Sequence, residues 1–335
     1  MKSEQFQDLH LLQKLAQTPD ITQRDLGKRM GLALGLVNLR LRRLANQGFI
    51  EIVEVKKNRI QYQVTRKGIL ERDRLAADHL DQSMSNYRDA RRFLTESTDV
   101  VVLCGGRGTR LKALTANTPK PLLSVGGEPF LLRMLLRLKE EGFCRFLLAA
   151  HYLPHQFGSF LEQHRAKLEG VHLIVEPEPL GTGGALRHAV DRVSSRHFVV
   201  LNGDSCVDQA LAPVVKEHLR GRWQGTVVAV RADQVEGQPL QKGLLRLGSQ
   251  REILGFHTPE NASEGWVNGG CYVFERAMVA SWPGGPYSLE AGWASLMEGK
   301  KVGAYCSEGR LLDIGTPQTY DRAAEILGSF EGVLP

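Results

Sequence analysis

Cations and a run of glycines lie in one short stretch, Gly105-Gly106-Arg107-Gly108-Thr109-Arg110, followed by Lys120 between Pro119 and Pro121. Glycines let several backbone N–H groups converge on one polyanion, and Arg110 and Lys120 add the charge a neutral loop lacks, so the stretch reads as a phosphate cradle. Its spacing is neither the dinucleotide fingerprint G-x-G-x-x-G nor a P-loop, since no Gly-Lys-Ser/Thr follows the glycines. Two carboxylates join the candidates. Asp204 ends Asn202-Gly203-Asp204 straight after the apolar run 198–201, and Asp313 follows Leu311-Leu312 and precedes Gly315. A carboxylate at the end of a buried strand is costly unless it is paired or holds a cation, and Mg²⁺ takes one or two protein carboxylates with phosphate oxygens and water. The plainer alternative for either aspartate is a helix N-cap.

The elements that must position these groups alternate in type. The apolar run 100–103 reads as a strand, then helix 129–141, strand 145–150, helix 155–168, strand 172–175, a helix from Gly183 and strand 197–201. Such β-α-β alternation predicts a mostly parallel sheet covered on both faces, with ligands beyond the carboxyl ends of its strands. A second Gly-rich turn there, 178–185, with Gly181, Thr182 and Gly183, could leave backbone groups free for a nucleobase edge; close packing is the alternative. Strands at 226–230, 243–247, 253–256 and 266–274 follow.

Gly-Gly-x-Gly-Thr-Arg-Leu followed by Pro-Lys-Pro resembles the sugar-1-phosphate nucleotidylyltransferases, and Ser288-Leu289-Glu290 is similar to the S-L-E of the heptose-1-phosphate guanylyltransferase type. The resemblance implies a Rossmann-like α/β nucleotidyltransferase fold with a mixed, mostly parallel sheet. It also implies an NTP, with GTP favoured, and a sugar 1-phosphate as substrates, Mg²⁺ as cofactor, and nucleotide-sugar synthesis for surface polysaccharide as the outcome. On it, Arg110 and Lys120 are catalytic with Asp204. Leu103, Gly105, Gly106, Gly108, Thr109, Arg110, Gly181, Thr182 and Gly183 bind nucleotide, Asn202, Asn268 and Glu290 bind the acceptor, and Asp204 and Asp313 hold the metal. A turn-forming role is the alternative for Asn268. The chain departs from the family where a Glu-Lys pair is expected, having His257-Thr258, with Lys242 a substitute from a neighbouring segment. That departure keeps a second reading open, a transcription regulator whose transferase-like domain senses a nucleotide without turnover.

Charge divides the chain. Residues 1–97 hold 18 Lys+Arg against 12 Asp+Glu and residues 98–335 hold 25 of each, so the formal charge of +6 lies wholly in the first part and points to an anionic partner such as nucleic acid. There, an amphipathic helix at 6–15, a second capped by Thr22 and stopped by Gly31, and a basic third from Leu34 to Gly48 follow the helix-turn-helix order. Strands 50–55 and 60–64 then flank a basic tip. Residues 9–70 resemble the MarR-type winged-helix regulators associated with exopolysaccharide gene clusters. The third helix is expected to turn Leu36, Leu39, Leu41 and Leu44 inward. Asn38, Arg40, Arg42 and Arg43, with Lys56, Lys57 and Arg59 of the wing, are then expected to meet double-stranded DNA; a solvated charged face is the alternative. The expected organisation is a winged helix-turn-helix domain at 1–68, a linker helix at 69–97 with a seam of Ala77, Leu80, Met84 and Tyr87 able to pair two chains as a homodimer, and the transferase domain at 98–335. No long apolar run or signal core is present, which suggests a cytoplasmic protein without a membrane partner, and five scattered cysteines read as buried free thiols.

Overall fold

A computed structural model describes residues 3–330 apart from 57–58, 222, 238–243, 258–264, 293–298 and 300. The chain forms two compact units, Met1–Ala90 and Arg91–Pro335.

In the first unit, α1 (Ser3–Gln17), α2 (Gln23–Met30) and α3 (Leu34–Asn46) precede an antiparallel pair, β1 (Ile50–Lys56) and β2 (Arg59–Val64), and a long helix, α4 (Arg66–Glu96), reaches past the unit boundary. The Thr22 hydroxyl accepts the Asp25 N–H at 3.1 Å, and Gly31 ends α2 at φ +64°. The core gathers Leu11, Leu12, Leu15, Leu26, Val37, Leu41, Leu44 and Tyr62. α3 is rotated from the expected face. Val37, Arg40, Leu41 and Leu44 are buried, while Leu36 and Leu39 are exposed. Arg40 follows Val37 by three residues on the buried stripe and tolerates burial because Asp8 of α1 takes its charge at 3.0 Å.

The second unit is built on a nine-stranded sheet of order β13-β12-β14-β8-β3-β6-β7, with β10 and β15 attached beside β14. Its members are β3 (Val100–Leu103), β6 (Phe146–Ala150), β7 (Val171–Val175), β8 (His197–Asn202), β10 (Gly225–Arg231), β12 (Leu244–Leu247), β13 (Ile253–His257), β14 (Trp266–Glu275) and β15 (Val302–Ser307). β8, β3, β6 and β7 are parallel, and β14 joins β8 antiparallel. The strand β3 shows why all four of its residues are apolar. Val100 and Val102 pack on one face with Leu131 and Leu135 of α5 (Phe130–Glu140), Phe157 of α6 (Pro154–Gln163) and Val214 of α8 (Leu211–Arg220). Val101 and Leu103 pack on the other with Leu186 of α7 (Gly181–Ala189) and Val279 of α9 (Arg276–Ala280). Smaller pieces complete the unit: β4 (Ser124–Val125) with β5 (Glu128–Pro129), a sheet of β11 (Val235–Glu236), β16 (Leu311–Asp313) and β9 (Ser205–Val207), and α10 (Pro317–Gly328). All five cysteines are free, but Cys144 is exposed and Cys206 and Cys306 are only half-buried, because Cys144 falls in the turn before β6 rather than in a strand.

Candidate active site

Strand register sets the site. Leu103 pairs with Asn202 of β8 and Ala149 of β6, and Ala150 pairs with Val175 of β7. The chain therefore leaves the sheet side by side at Cys104, His151, Glu176 and Gly203, at the carboxyl ends of parallel strands. The Gly203 N–H donates to the Leu103 carbonyl at 2.9 Å, which seats Asp204 against the glycine loop.

Asp313 arrives by pairing. β16 runs antiparallel to β9 with Asp313 opposite Ser205, and the Ile314 N–H donates to the Asp204 carbonyl at 3.0 Å. Both carboxylates reach Lys120, whose Nζ lies 2.7 Å from Asp204 Oδ2 and 3.5 Å from Asp313 Oδ1. Asp313 Oδ1 also accepts the Gly315 N–H at 2.7 Å. Two carboxylates so placed suit a hard dication that completes its shell with phosphate oxygens and water; among the described residues no group of three or more His, Cys, Asp or Glu side chains gathers. A cavity of about 220 Å³ opens here, lined by Leu103, Gly106, Gly108, Thr109, Arg110, Lys120 and Asp204. Beside it a larger one, about 370 Å³, is lined by Gly105, His151, Glu176, Gly181, Thr182 and Asn202 among others.

Glu176 was not singled out by its sequence. It is buried, its Oε2 accepts the Leu180 N–H at 3.3 Å, and its Oε1 has no partner. Burial pushes its carboxyl above the usual carboxylate range, and the Leu180 amide opposes this. Gly105 lies against it, since a Cβ there would stand 2.6 Å from Glu176 Oε1 and the carboxylate would have to shift.

The second glycine turn differs from expectation. The Gly183 and Gly184 amides donate to the Tyr287 carbonyl at 3.0 and 3.4 Å, and the Thr182 hydroxyl accepts the Leu289 N–H at 2.8 Å. Cβ atoms on Gly181, Gly183 and Gly184 would lie within 2.7 Å of atoms of residues 285–288. These glycines serve close packing of a strap onto α7, and the amides of Gly183 and Gly184 are not available to a base. Asn268 is also engaged. Its Oδ1 accepts the Gly270 N–H at 3.0 Å, an Asx turn, and its Nδ2 donates to the Tyr272 hydroxyl at 2.9 Å. Glu290 is exposed, and its charge adds to burial, the larger effect, in raising the Tyr272 pKa. Thr258 and Lys242 lie outside the described residues, and His257 ends β13 opposite Leu244.

In the first unit, the expected DNA contacts divide. Arg40 and Arg43 are turned onto α1, where Asp8 pairs with both and the Glu4 carboxylate lies 3.6 Å from Arg43, because the buried stripe of α3 includes position 40. Arg42 is exposed and Asn38 half-buried. Lys57 lies outside the described residues, as do the side chains of Lys56 and Arg59. Arg24, Lys28 and Arg29 of α2 are exposed, and a basic, capped helix was the signal that could have pointed to them.

Residues 99–328 match the family model described as nucleotidyl transferase, and residues 7–51 match winged helix-turn-helix DNA-binding. A mannose-1-phosphate guanylyltransferase of Mycobacterium tuberculosis is 31% identical over 246 residues, 72% of this chain and 67% of that protein. The catalytic subunit beta of the Drosophila melanogaster mannose-1-phosphate guanylyltransferase is 31% identical over 67% of this chain, and the match spans only 61% of that protein's length. Among solved structures, HddC from Yersinia pseudotuberculosis complexed with GMP-PN aligns with TM-score 0.61 and 26% identity, over 69% of this chain and 99% of that one.

Proposed function

Since the chain belongs to the nucleotidyl transferase family through residues 99–328, we propose that it transfers a nucleotidyl group from an NTP, GTP first, to a sugar 1-phosphate and releases pyrophosphate. The observation that carries this is the meeting of Lys120, Asp204 and Asp313 beside the glycine loop at one sheet edge. A phosphate oxygen of the acceptor attacks the α-phosphorus in line, and no nucleophilic side chain is needed. Both reactants are anions, so positioning and charge neutralisation supply the rate. Arg110 and the loop amides from Gly105 to Thr109 take the β- and γ-phosphates, and Lys120 the α-phosphate and acceptor phosphate. Mg²⁺ held by Asp204 and Asp313 would neutralise charge on the phosphates as they react.

Guanine is favoured by Glu176. Glu176 lines the larger cavity and keeps one buried carboxylate oxygen without a partner, and guanine alone among the common bases sets two donors, N1–H and N2–H₂, side by side for one carboxylate. The two relatives named for mannose 1-phosphate and the chain crystallised with GMP-PN agree with a guanylyl donor. Asn202 and Glu290 are assigned to the sugar, and Asn268 to holding Tyr272 beside it. An activity matrix of each NTP against a panel of sugar 1-phosphates, with Mg²⁺ and pyrophosphate as readout, tests the reading. GTP with a hexose or heptose 1-phosphate is expected to lead; nucleotide binding without release for every pair would favour the sensor instead.

The winged-helix unit is assigned to double-stranded DNA through Arg42, Arg24, Lys28 and Arg29, with the wing beside them. No helix among the described residues is long and apolar enough to cross a membrane, and a cytoplasmic setting suits both substrates and DNA. α4 is exposed at every residue from 80 to 90, including Leu80, Met84 and Tyr87. A helix that exposes apolar residues at steps of four and three gains by pairing with a second copy, so a homodimer is proposed. L80E/M84E is expected to halve the mass by light scattering; an unchanged mass removes the proposal.

A further inference from the structure

Lys120 sits in a tight turn between two prolines and is buried, with its ammonium wedged between Asp204 and Asp313. Gly315 closes one side, since a Cβ there would lie 2.9 Å from Nζ and 2.7 Å from Asp313 Oδ1. The open side is the cavity lined by Gly106, Gly108 and Arg110, where the proposed reaction places phosphates. A divalent ion bonded to both carboxylates stands about 2.0–2.1 Å from their oxygens. An ammonium 2.7 Å from Asp204 Oδ2 would then stand close to a doubly charged cation, with three positive charges facing two negative ones. The ammonium and the ion therefore compete for the pair of carboxylates.

We propose that Lys120 and the divalent ion are alternative occupants of the Asp204–Asp313 pair, and that the nucleotide's phosphates assemble the metal site by drawing the lysine ammonium off the aspartates and into the cleft. This rests on the assignment of nucleotidyl transfer to the site. The movement needs only rotation about the lysine's own side-chain bonds, and it exchanges carboxylate oxygens for phosphate oxygens, so the ammonium stays paired throughout. Metal and nucleotide then bind cooperatively, and by linkage each must tighten the other by the same factor.

Mn²⁺ binding to the full chain without nucleotide, followed by electron paramagnetic resonance and calorimetry, separates the possibilities. The wild type is expected to bind weakly and Lys120→Met at least tenfold more tightly. Lys120→Gln should repeat the gain if Met disturbs packing, and a Mn²⁺-dependent rise in melting temperature, larger in either variant than in the wild type, reports the same site. K120M/D204N and K120M/D313N should lose the gain. If Lys120→Met and Lys120→Gln both fold yet bind Mn²⁺ no better than the wild type, the exclusion is wrong while the transferase reading stands. If the double variants keep the gain, the aspartates do not hold the metal and the reading of the site itself fails. Guanosine 5′-(β,γ-imido)triphosphate should bind the wild type at least tenfold more tightly with Mn²⁺ than without; an equal affinity overturns the proposed coupling.

Discussion

An ammonium held by two carboxylates balances charge in the fold and, in the proposed reaction, would neutralise charge on the phosphates; substitution separates the two. Lys120→Ala and Asp204→Asn are each expected to cut pyrophosphate release by about 100- to 1,000-fold or more, the usual effect of removing one preorganised charge at a transition state. Circular dichroism should stay that of the wild type; full activity in either variant refutes the assignment. Glu176→Gln tests base choice. An amide offers one acceptor and one donor to guanine's two adjacent donors, a mismatch of about 1–3 kcal/mol, so the ratio of kcat/KM for GTP to that for UTP should fall roughly 10- to 100-fold. Burial holds the Glu176 pKa above the usual range, and guanine's donors favour the ionised form. GTP binding is therefore expected to weaken as pH falls through that raised pKa and to release a proton there, read by calorimetry in buffers of different ionisation enthalpy and absent in Glu176→Gln. Lys120, Asp204 and Asp313 were legible because each stands in a local pattern of glycines, prolines and apolar runs. Glu176 was not, because the sequence offers Glu176 and Glu178 alike, and only the fold buries the first and exposes the second.

At the scale of elements, periodicity located most strands and helices of the second unit to within about five residues, since buried parallel strands are continuous apolar runs, but it passed over α8 and β15. It could not find the three-residue strands β9 and β16, although their pairing is what carries Asp313 to Asp204 across more than a hundred residues. Nor could it fix the face of α3. Leu41 and Leu44 belong to either of two overlapping stripes, one through Leu36 and Leu39 and one through Val37 and Arg40, and an arginine weighs against the second until Asp8 is known to meet it. Another link between elements, His218 of α8, carries a stability prediction. Its ring is buried, with Nε2 2.9 Å from His197 Nδ1 on β8 and Nδ1 2.8 Å from the Thr226 hydroxyl on β10. Burial, then the neighbouring His197, lowers its pKa from 6.5 to about 4. The unfolded chain thus takes up the proton first, so this contribution is fully present above pH 6.5 and is lost as pH falls toward 4, by about 3 kcal/mol at most. Urea midpoints measured between pH 7 and 4.5 should fall more steeply for the wild type than for His218→Gln; parallel slopes would count against the account.

On the scale of the whole molecule, charge points to the surface proposed to meet DNA once internal pairing is subtracted. Of the basic residues expected to contact it, Arg40 and Arg43 already answer Asp8, and a guanidinium so paired releases few counterions from a duplex. Arg42 on α3 and Arg24, Lys28 and Arg29 on α2 are exposed, and among the described residues none of the four is in an ion pair. Each that neutralises a phosphate should contribute about 0.9 to the slope of log affinity against log salt. Retardation of fragments from the protein's own gene cluster, followed between about 50 and 200 mM salt, should therefore give a slope that drops by about one in Arg42→Ala or Lys28→Ala, with melting temperature unchanged. Arg40→Ala should do the reverse. It leaves the half-buried Asp8 with Arg43 alone and lowers the melting temperature of the first unit, while the salt slope stays that of the wild type. A slope lost in Arg40→Ala and kept in Arg42→Ala would return the DNA-facing side of α3 to the stripe first read from its arginines.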